Sequence, residues 1–295
     1  MSNFNFSLES LRMKGITFPG GEVHVAFETG RKLPDPFTIT ARITDSDGIM
    51  VLLLITDALR RMGVKSILLN LPYVPYARQD RMCNLGEAHS LKVFANLINS
   101  QNYDQVTVFD PHSDVVEALF NNVKVVSNHE FIFSVLRLGW TKEPAVLVAP
   151  DAGAYKKIYY LAKYLADQGW GSFSNIVTCN KERDTKTGAI TNFSVGATDL
   201  GGKRCIIVDD ICDAGGTFLG LADALKAANA GSLELIVSHG IFSKGFEALE
   251  EKFDKIVFTN SFKSFEEGVL SMKNLDSENF KKYKLIQGEV ETFLK

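Results

Sequence analysis

The run Asp209-Asp210-Ile211-Cys212-Asp213-Ala214-Gly215-Gly216-Thr217 holds the densest concentration of chemistry in the sequence. It follows the apolar segment 204–208 and leads into a helical pattern from about Phe218. Paired glycines ahead of a threonine present bare backbone N–H groups and a hydroxyl at a helix N-terminus, a favourable setting for a phosphate. Carboxylates beside such a cradle repel a naked polyphosphate, so they need sugar hydroxyls or a metal ion to face. Ribose 5-phosphate meets both demands, with its phosphate on the Gly-Gly-Thr turn and its ring hydroxyls toward Asp209, Asp210 and Asp213. A solvated turn capped by Asp213 explains the glycines but not the two acids at the end of the preceding strand.

Other polar runs sit at the ends of apolar segments. Pro75-Tyr76-Ala77-Arg78-Gln79-Asp80-Arg81 carries two guanidiniums, which fit phosphates bidentately and stack on purines, so a nucleotide contact is reasonable there. Asp110-Pro111-His112-Ser113 closes one strand pattern and Ala149-Pro150-Asp151-Ala152-Gly153-Ala154 closes another. The hydrophilic stretch 180–188, with Lys181 and Arg183, reads by composition alone as solvated charge between two strands.

These runs need elements to hold them. Residues 66–71, 105–109, 145–149, 175–179, 204–208, 232–237 and 255–258 read as buried strands bounded by turn or polar residues. Between them, Val51, Leu52, Ile55, Ala58, Leu59 and Met62 recur at helical spacing, as do Phe218, Leu221, Ala222 and Leu225. Strands alternating with helices predict an α/β fold of mainly parallel sheets flanked by helices, with ligands outside the carboxyl ends of the strands. Asp57-Ala58-Leu59 precedes the run Ile67 to Leu71, and Asp223-Ala224-Leu225 precedes Leu233 to Val237 at equal spacing, which suggests a duplicated domain. Gly139 and Pro144 break the periodicity at 138–144, so the expected domains are 1–140 and 141–295, the last helix being free to pack back on the first.

A chain of 295 residues suits two domains. Thirty-two basic against thirty-five acidic side chains leave a net charge of −3, without the basic excess of a nucleic-acid binder. The opening residues 1–6 show no secretory pattern, and the greasiest stretch, 49–55, falls short of the about 20 residues of a membrane span. Cys83, Cys179, Cys205 and Cys212 form no CxxC pair, so reduced thiols in a cytoplasmic protein are expected.

The run 209–217 resembles the phosphoribosyl-pyrophosphate (PRPP) motif of type I phosphoribosyltransferases and ribose-phosphate pyrophosphokinases, with Ala214 where a threonine is usual. The run 75–81, continued through Glu87, Lys92, Phe94, Ala95 and Asn96, resembles the ATP loop of the pyrophosphokinases, though Asn84 and Gly86 replace arginines. Phe18-Pro19-Gly20-Gly21-Glu22 is similar to a loop that serves the adenine pocket of a neighbouring subunit, with Gly20 in place of an aspartate. Several such loops in one order make the resemblance specific to the ribose-phosphate pyrophosphokinase family. It implies two tandem phosphoribosyltransferase-like domains and transfer of the β,γ-diphosphate of ATP to the C1 hydroxyl of ribose 5-phosphate. It also implies Mg²⁺ as cofactor and a homo-oligomer built from dimers, as the family's hexamers are, with neither nucleic acid nor membrane as partner. Lys181 and Arg183 would then be catalytic. Phe18, Gly20, Glu22, Arg78, Gln79, Asp80, Arg81 and His112 would bind ATP. Asp209, Asp210, Asp213, Ala214, Gly215, Gly216 and Thr217 would bind ribose 5-phosphate. Asp151, Ala152, Gly153 and Ala154 would form the pyrophosphate loop, and Asp110, His112 and Asp151 would hold the metal. The alternatives are a phosphoribosyltransferase that consumes PRPP and a non-catalytic regulator associated with PRPP synthetases.

Overall fold

Short runs of branched apolar residues, each ended by a polar turn, fold here as strands stacked side by side with amphipathic helices against them. The computed structural model describes residues 5–9, 11–28, 30, 32–139, 145–170, 176–183, 190–274 and 276–294. Its contacts divide the chain into two units, Met1–Ser127 with Ser261–Lys263 and Val290–Lys295, and Asn128–Asn260 with Ser264–Glu289.

The first unit runs β1 (Phe6–Ser7), β2 (Met13–Thr17), β3 (Val23–Phe27), β4 (Phe37–Ala41), α1 (Ser46–Arg61), β5 (Ile67–Leu71), α2 (Ser90–Asn99), β6 (Gln105–Phe109), α3 (Val115–Leu119) and β7 (Val123–Val126). Its sheet has the order β1-β4-β5-β6-β7, parallel except at β1, and β2 and β3 form a separate antiparallel hairpin. Asp45 caps α1 by accepting from the Gly48 amide at 2.8 Å, satisfying one of the helix's orphan donors. The apolar stripe of α1, Val51, Leu52, Ile55 and Leu59, is fully buried against Phe37, Ile39 and Leu69, as its helical spacing predicts. The chain returns to this unit twice. Phe262 meets Tyr73 edge-on at 5.3 Å between ring centroids, Phe293 stacks on the buried Phe109 at 6.4 Å, and Glu291 pairs with the buried Arg42.

The second unit runs α4 (His129–Leu138), β8 (Ala145–Ala149), α5 (Tyr155–Asp167), β9 (Ile176–Arg183), β10 (Ile190–Val195), β11 (Arg204–Cys212), α6 (Gly216–Ala227), β12 (Leu233–Gly240), α7 (Glu247–Lys252), β13 (Lys255–Thr259), β14 (Leu270–Ser271), α8 (Ser277–Lys282) and β15 (Leu285–Gly288). The helix α4, at the edge of the expected break, belongs to this unit. The sheet order is β10-β9-β8-β11-β12-β13-β15-β14, with β10 the antiparallel edge. The run β4-β5-β6-β7 of the first sheet and β11-β12-β13-β15 of the second follow the same parallel order. The two copies of Asp-Ala-Leu fall at equivalent places, in α1 before β5 and in α6 before β12. This is the α/β architecture of two mainly parallel sheets flanked by helices that the alternating pattern predicts.

Several boundaries differ from the sequence reading, three of them beside the polar runs. β11 continues through Asp209 to Cys212, because the ladder to β12 holds as far as Ile211 beside His239 and Cys212 beside Gly240. α6 begins at Gly216 rather than Phe218. β9 extends to Arg183, since the antiparallel partner β10 prolongs its ladder to the pair Arg183 and Ile190. The opposite end of the second sheet buries charge. Arg204 forks onto Glu234 at 2.9 and 2.7 Å, and Lys255 donates to the Tyr283 carbonyl at 2.6 Å. Such bidentate and carbonyl contacts satisfy ions that would otherwise be costly to desolvate. All four cysteines are free, and burial pushes the thiols of Cys179 and Cys212 up to about 12 and that of Cys205 to about 11. Among the described residues no helix is long and apolar enough to cross a membrane.

Candidate active site

The carboxyl ends of both sheets carry the polar runs singled out above, each arranged by its own unit. In the first, β5 ends in a turn where Tyr76 takes a left-handed φ of 62° and the Gln79 amide donates to the Tyr76 carbonyl at 2.9 Å. This compact turn leaves Arg78, Gln79 and Arg81 exposed and tucks Asp80 inside. Asp80 accepts from Arg81 Nε at 2.9 Å, and this guanidinium holds its carboxyl below the usual range, with the charge of His112 adding to the effect. Asp80 therefore links two runs that are distant in sequence, the 75–81 loop and the turn after β6. In that turn Asp110 is buried with φ 37°, its amide donates to the Val126 carbonyl at 2.7 Å, and His112 is exposed.

Phe18, Gly20 and Glu22 form the tip of the β2–β3 hairpin. The Phe18 amide donates to the Glu22 carbonyl and the Gly21 amide to the Phe18 carbonyl, both at 2.8 Å. The Phe18 ring is 47% exposed, a large apolar surface left for something outside the hairpin to cover.

In the second unit, β8 leads through Pro150 to Asp151, whose carboxylate accepts from the Ala154 amide at 3.0 Å and closes a tight turn into α5. Ala152 and Gly153 are exposed at this turn, so their backbone faces outward. The neighbouring strand β11 brings Asp209 and Asp210 to its end, Asp210 buried and Asp209 partly accessible. Asp209 Oδ1 accepts from the Asp210 amide at 2.9 Å. Its carboxyl is nonetheless pushed well above the ordinary range, first by burial, then by the charge of Asp210 and of Asp151. Three acids from two adjacent strands thus crowd one place, and the fold disfavours their full ionisation without a cation or hydroxyl donors.

Beyond Cys212 the chain turns through Asp213 and Ala214, and Gly215 takes φ 80° ahead of α6. No side chain caps this 12-residue helix, so its first-turn amides point out beside the exposed Gly216 and the half-buried Thr217. Positive helix end, open amides and hydroxyl together make an anion seat next to the acids. A side chain at Gly215 would be left-handed and would meet Leu249 at 3.1 Å. Gly215→Ala is therefore expected to cost about 1–2 kcal/mol of stability, read as a lowered midpoint in urea titration.

Lys181 and Arg183 lie in β9, where Lys181 pairs with Phe193 and Arg183 with Ile190 on β10. Their backbone is strand, not the loop expected of them; their side chains, and residues 184–189, lie outside the described residues. Ser243, after β12, escaped the sequence reading. Its hydroxyl donates to Asp213 Oδ1 at 2.7 Å, and the only available signal was its position at a strand end.

Two family models match the chain: the N-terminal domain of ribose phosphate pyrophosphokinase over residues 4–101 and the phosphoribosyl transferase domain over residues 115–273. The ribose-phosphate pyrophosphokinase of Hyphomonas neptunium is 31% identical over 266 residues, covering 88% of this chain and 81% of that protein. The chain belongs to the ribose-phosphate pyrophosphokinase family. A second member, from Corynebacterium efficiens, is 30% identical over 81% of this chain and 72% of its own length. The crystal structure of phosphoribosylpyrophosphate synthetase from Mycobacterium smegmatis shares the pyrophosphokinase fold, with a TM-score of 0.75 at 23% identity over 96% of this chain and 88% of that one.

Proposed function

We propose that this pyrophosphokinase transfers the β,γ-diphosphate of ATP to the C1 hydroxyl of ribose 5-phosphate, giving PRPP and AMP. The observation that carries the reading is the meeting of a carboxylate cluster, Asp151, Asp209 and Asp210, with the uncapped N-terminus of α6 in one unit of a family member. A phosphosugar is the ligand class that answers both. Its 5-phosphate takes the amides of Ala214, Gly215, Gly216 and Thr217, and its hydroxyls take Asp209, Asp210 and Asp213. The backbone of the exposed Ala152 and Gly153 receives the diphosphate, in the turn that the Ala154 amide closes onto Asp151.

In the first unit, Arg78, Gln79 and Arg81 are the exposed groups for ATP, and Asp80 holds Arg81 in place. Phe18, Gly20 and Glu22 serve the adenine of a neighbouring copy, which makes the working form a homo-oligomer built on dimers. The reaction forms a bond from the sugar O1 to the β-phosphorus and breaks the bond from that phosphorus to the oxygen shared with the α-phosphate, which leaves on AMP, while the proton of the sugar hydroxyl passes to solvent. Positioning and charge neutralisation dominate such a displacement. Lys181 and Arg183 supply fixed positive charge to the phosphoryl oxygens and the departing AMP.

The site residues fit magnesium. Among the described residues no group of three or more His, Cys, Asp or Glu side chains is arranged to hold a metal by itself, the acids around Asp209 included, and magnesium prefers one or two carboxylates completed by substrate phosphates and water. Asp151 would hold it in the second unit, Asp110 and His112 are the metal candidates of the first, and when bound it would lower the negative charge on the diphosphate. A cytoplasmic location, where ATP and reduced thiols coexist, suits this chemistry.

The test is AMP release on incubation with ATP and ribose 5-phosphate. AMP should appear only when both are present with magnesium. No AMP under those conditions would favour the non-catalytic regulator. A transferase that consumes PRPP has no use for the region 4–101, whose match to the pyrophosphokinase N-terminal domain argues against it.

A further inference from the structure

We propose that Ser243 is a positioning residue for the sugar, its hydroxyl holding the Asp213 carboxylate in the orientation that receives ribose hydroxyls. The inference rests on the assignment of Asp213 to ribose 5-phosphate and adds a second strand-end loop to that site. β12 ends at Gly240, and the next two amides, of Ile241 and Phe242, both donate to the carbonyl of Cys212 at 2.9 and 3.2 Å. The loop after β12 is thereby tied to the last residue of β11, immediately before Asp213.

Phe242 takes a left-handed φ of 47°, an unfavourable conformation for a bulky side chain. Its ring is buried and locked against Phe246 at 4.5 Å, Phe258 at 4.9 Å and Phe265 at 5.7 Å between centroids. This aromatic packing offsets the strain, and the left-handed step brings the following residue back over the turn. Ser243 Oγ there donates to Asp213 Oδ1 at 2.7 Å. One such bond leaves a carboxylate with further acceptor sites, so the serine fixes its plane without exhausting it. Leu249 of α7 lies over the same turn, close enough that a Cβ added at Gly215 would meet it at 3.1 Å. Segment 241–249 thus braces the phosphosugar turn at both its acidic and its glycine end.

The experiment compares steady-state constants of Ser243→Ala, Ser243→Thr and Asp213→Asn. Ser243 is exposed, so its truncation leaves the core untouched. Loss of a hydrogen bond to a charged group should raise the KM for ribose 5-phosphate about 10-fold in Ser243→Ala, with kcat and the KM for ATP within about threefold. Ser243→Thr, which keeps the hydroxyl, should return the sugar KM to within about threefold of the parent. An unchanged sugar KM in Ser243→Ala, or a threonine variant as impaired as the alanine one, overturns the inference alone. If Asp213→Asn also leaves the sugar KM unchanged, the assignment of Asp213 falls and takes the role of Ser243 with it.

Discussion

Replacing Lys181 by alanine should lower turnover by about 10²–10³-fold, the usual cost of one preorganised donor to a developing phosphoryl charge, while ATP binding stays within a few-fold. The expectation follows from placing Lys181 and Arg183 at the end of β9, paired to β10 up to Ile190. A strand end holds its backbone more rigidly than a loop would, so the loss should appear in kcat rather than in KM. Single-turnover measurement of AMP formation, alongside ATP affinity by titration, separates the two. Turnover near that of the parent would remove this segment from the reaction.

Asp209→Asn should weaken ribose 5-phosphate by about 10- to 100-fold and leave ATP nearly untouched, since hydrogen bonds to a charged acceptor are worth about 1.5–3 kcal/mol. The structure adds an unusual companion effect. Burial, Asp210 and Asp151 raise the Asp209 pKa, so the fold works against its charged form, and asparagine carries no such charge. Asparagine also keeps the Oδ1 that accepts from the Asp210 amide at 2.9 Å. The thermal midpoint of the free protein should therefore hold or rise while sugar binding falls. Equal loss of both ligands together with a lower midpoint would point to misfolding instead.

Much of the architecture could be read from residue pattern because most of the parallel strands are largely buried, short and mainly apolar runs. Segments 67–71, 105–109, 145–149 and 255–258 all became strands on that signal. The hairpin β2–β3 and the strand β4, where Thr38 and Thr40 interrupt the apolar run, gave no such run and were missed. Strand ends were also harder, because the polar residues Asp209 and Asp210 look like a turn although the ladder to β12 carries them. The acidic and glycine-rich runs stood out since their chemistry is local in sequence. What could not be read was anything depending on a partner far along the chain. Ser243 reaches Asp213 across 30 positions and Asp80 senses His112, and neither pairing leaves a trace in composition or spacing.

The return of residues 290–295 to the first unit gives the molecule an inverted schedule of completion. As a ribosome delivers the polypeptide, the sheet that emerges earliest still lacks the carboxylate of Glu291 beside Arg42 and the ring of Phe293 over Phe109. The half born first is completed only after the second has emerged. A proteolytic cut just before Glu291 should accordingly be felt around Asp110 and His112, in the turn after Phe109, far from the cut in sequence.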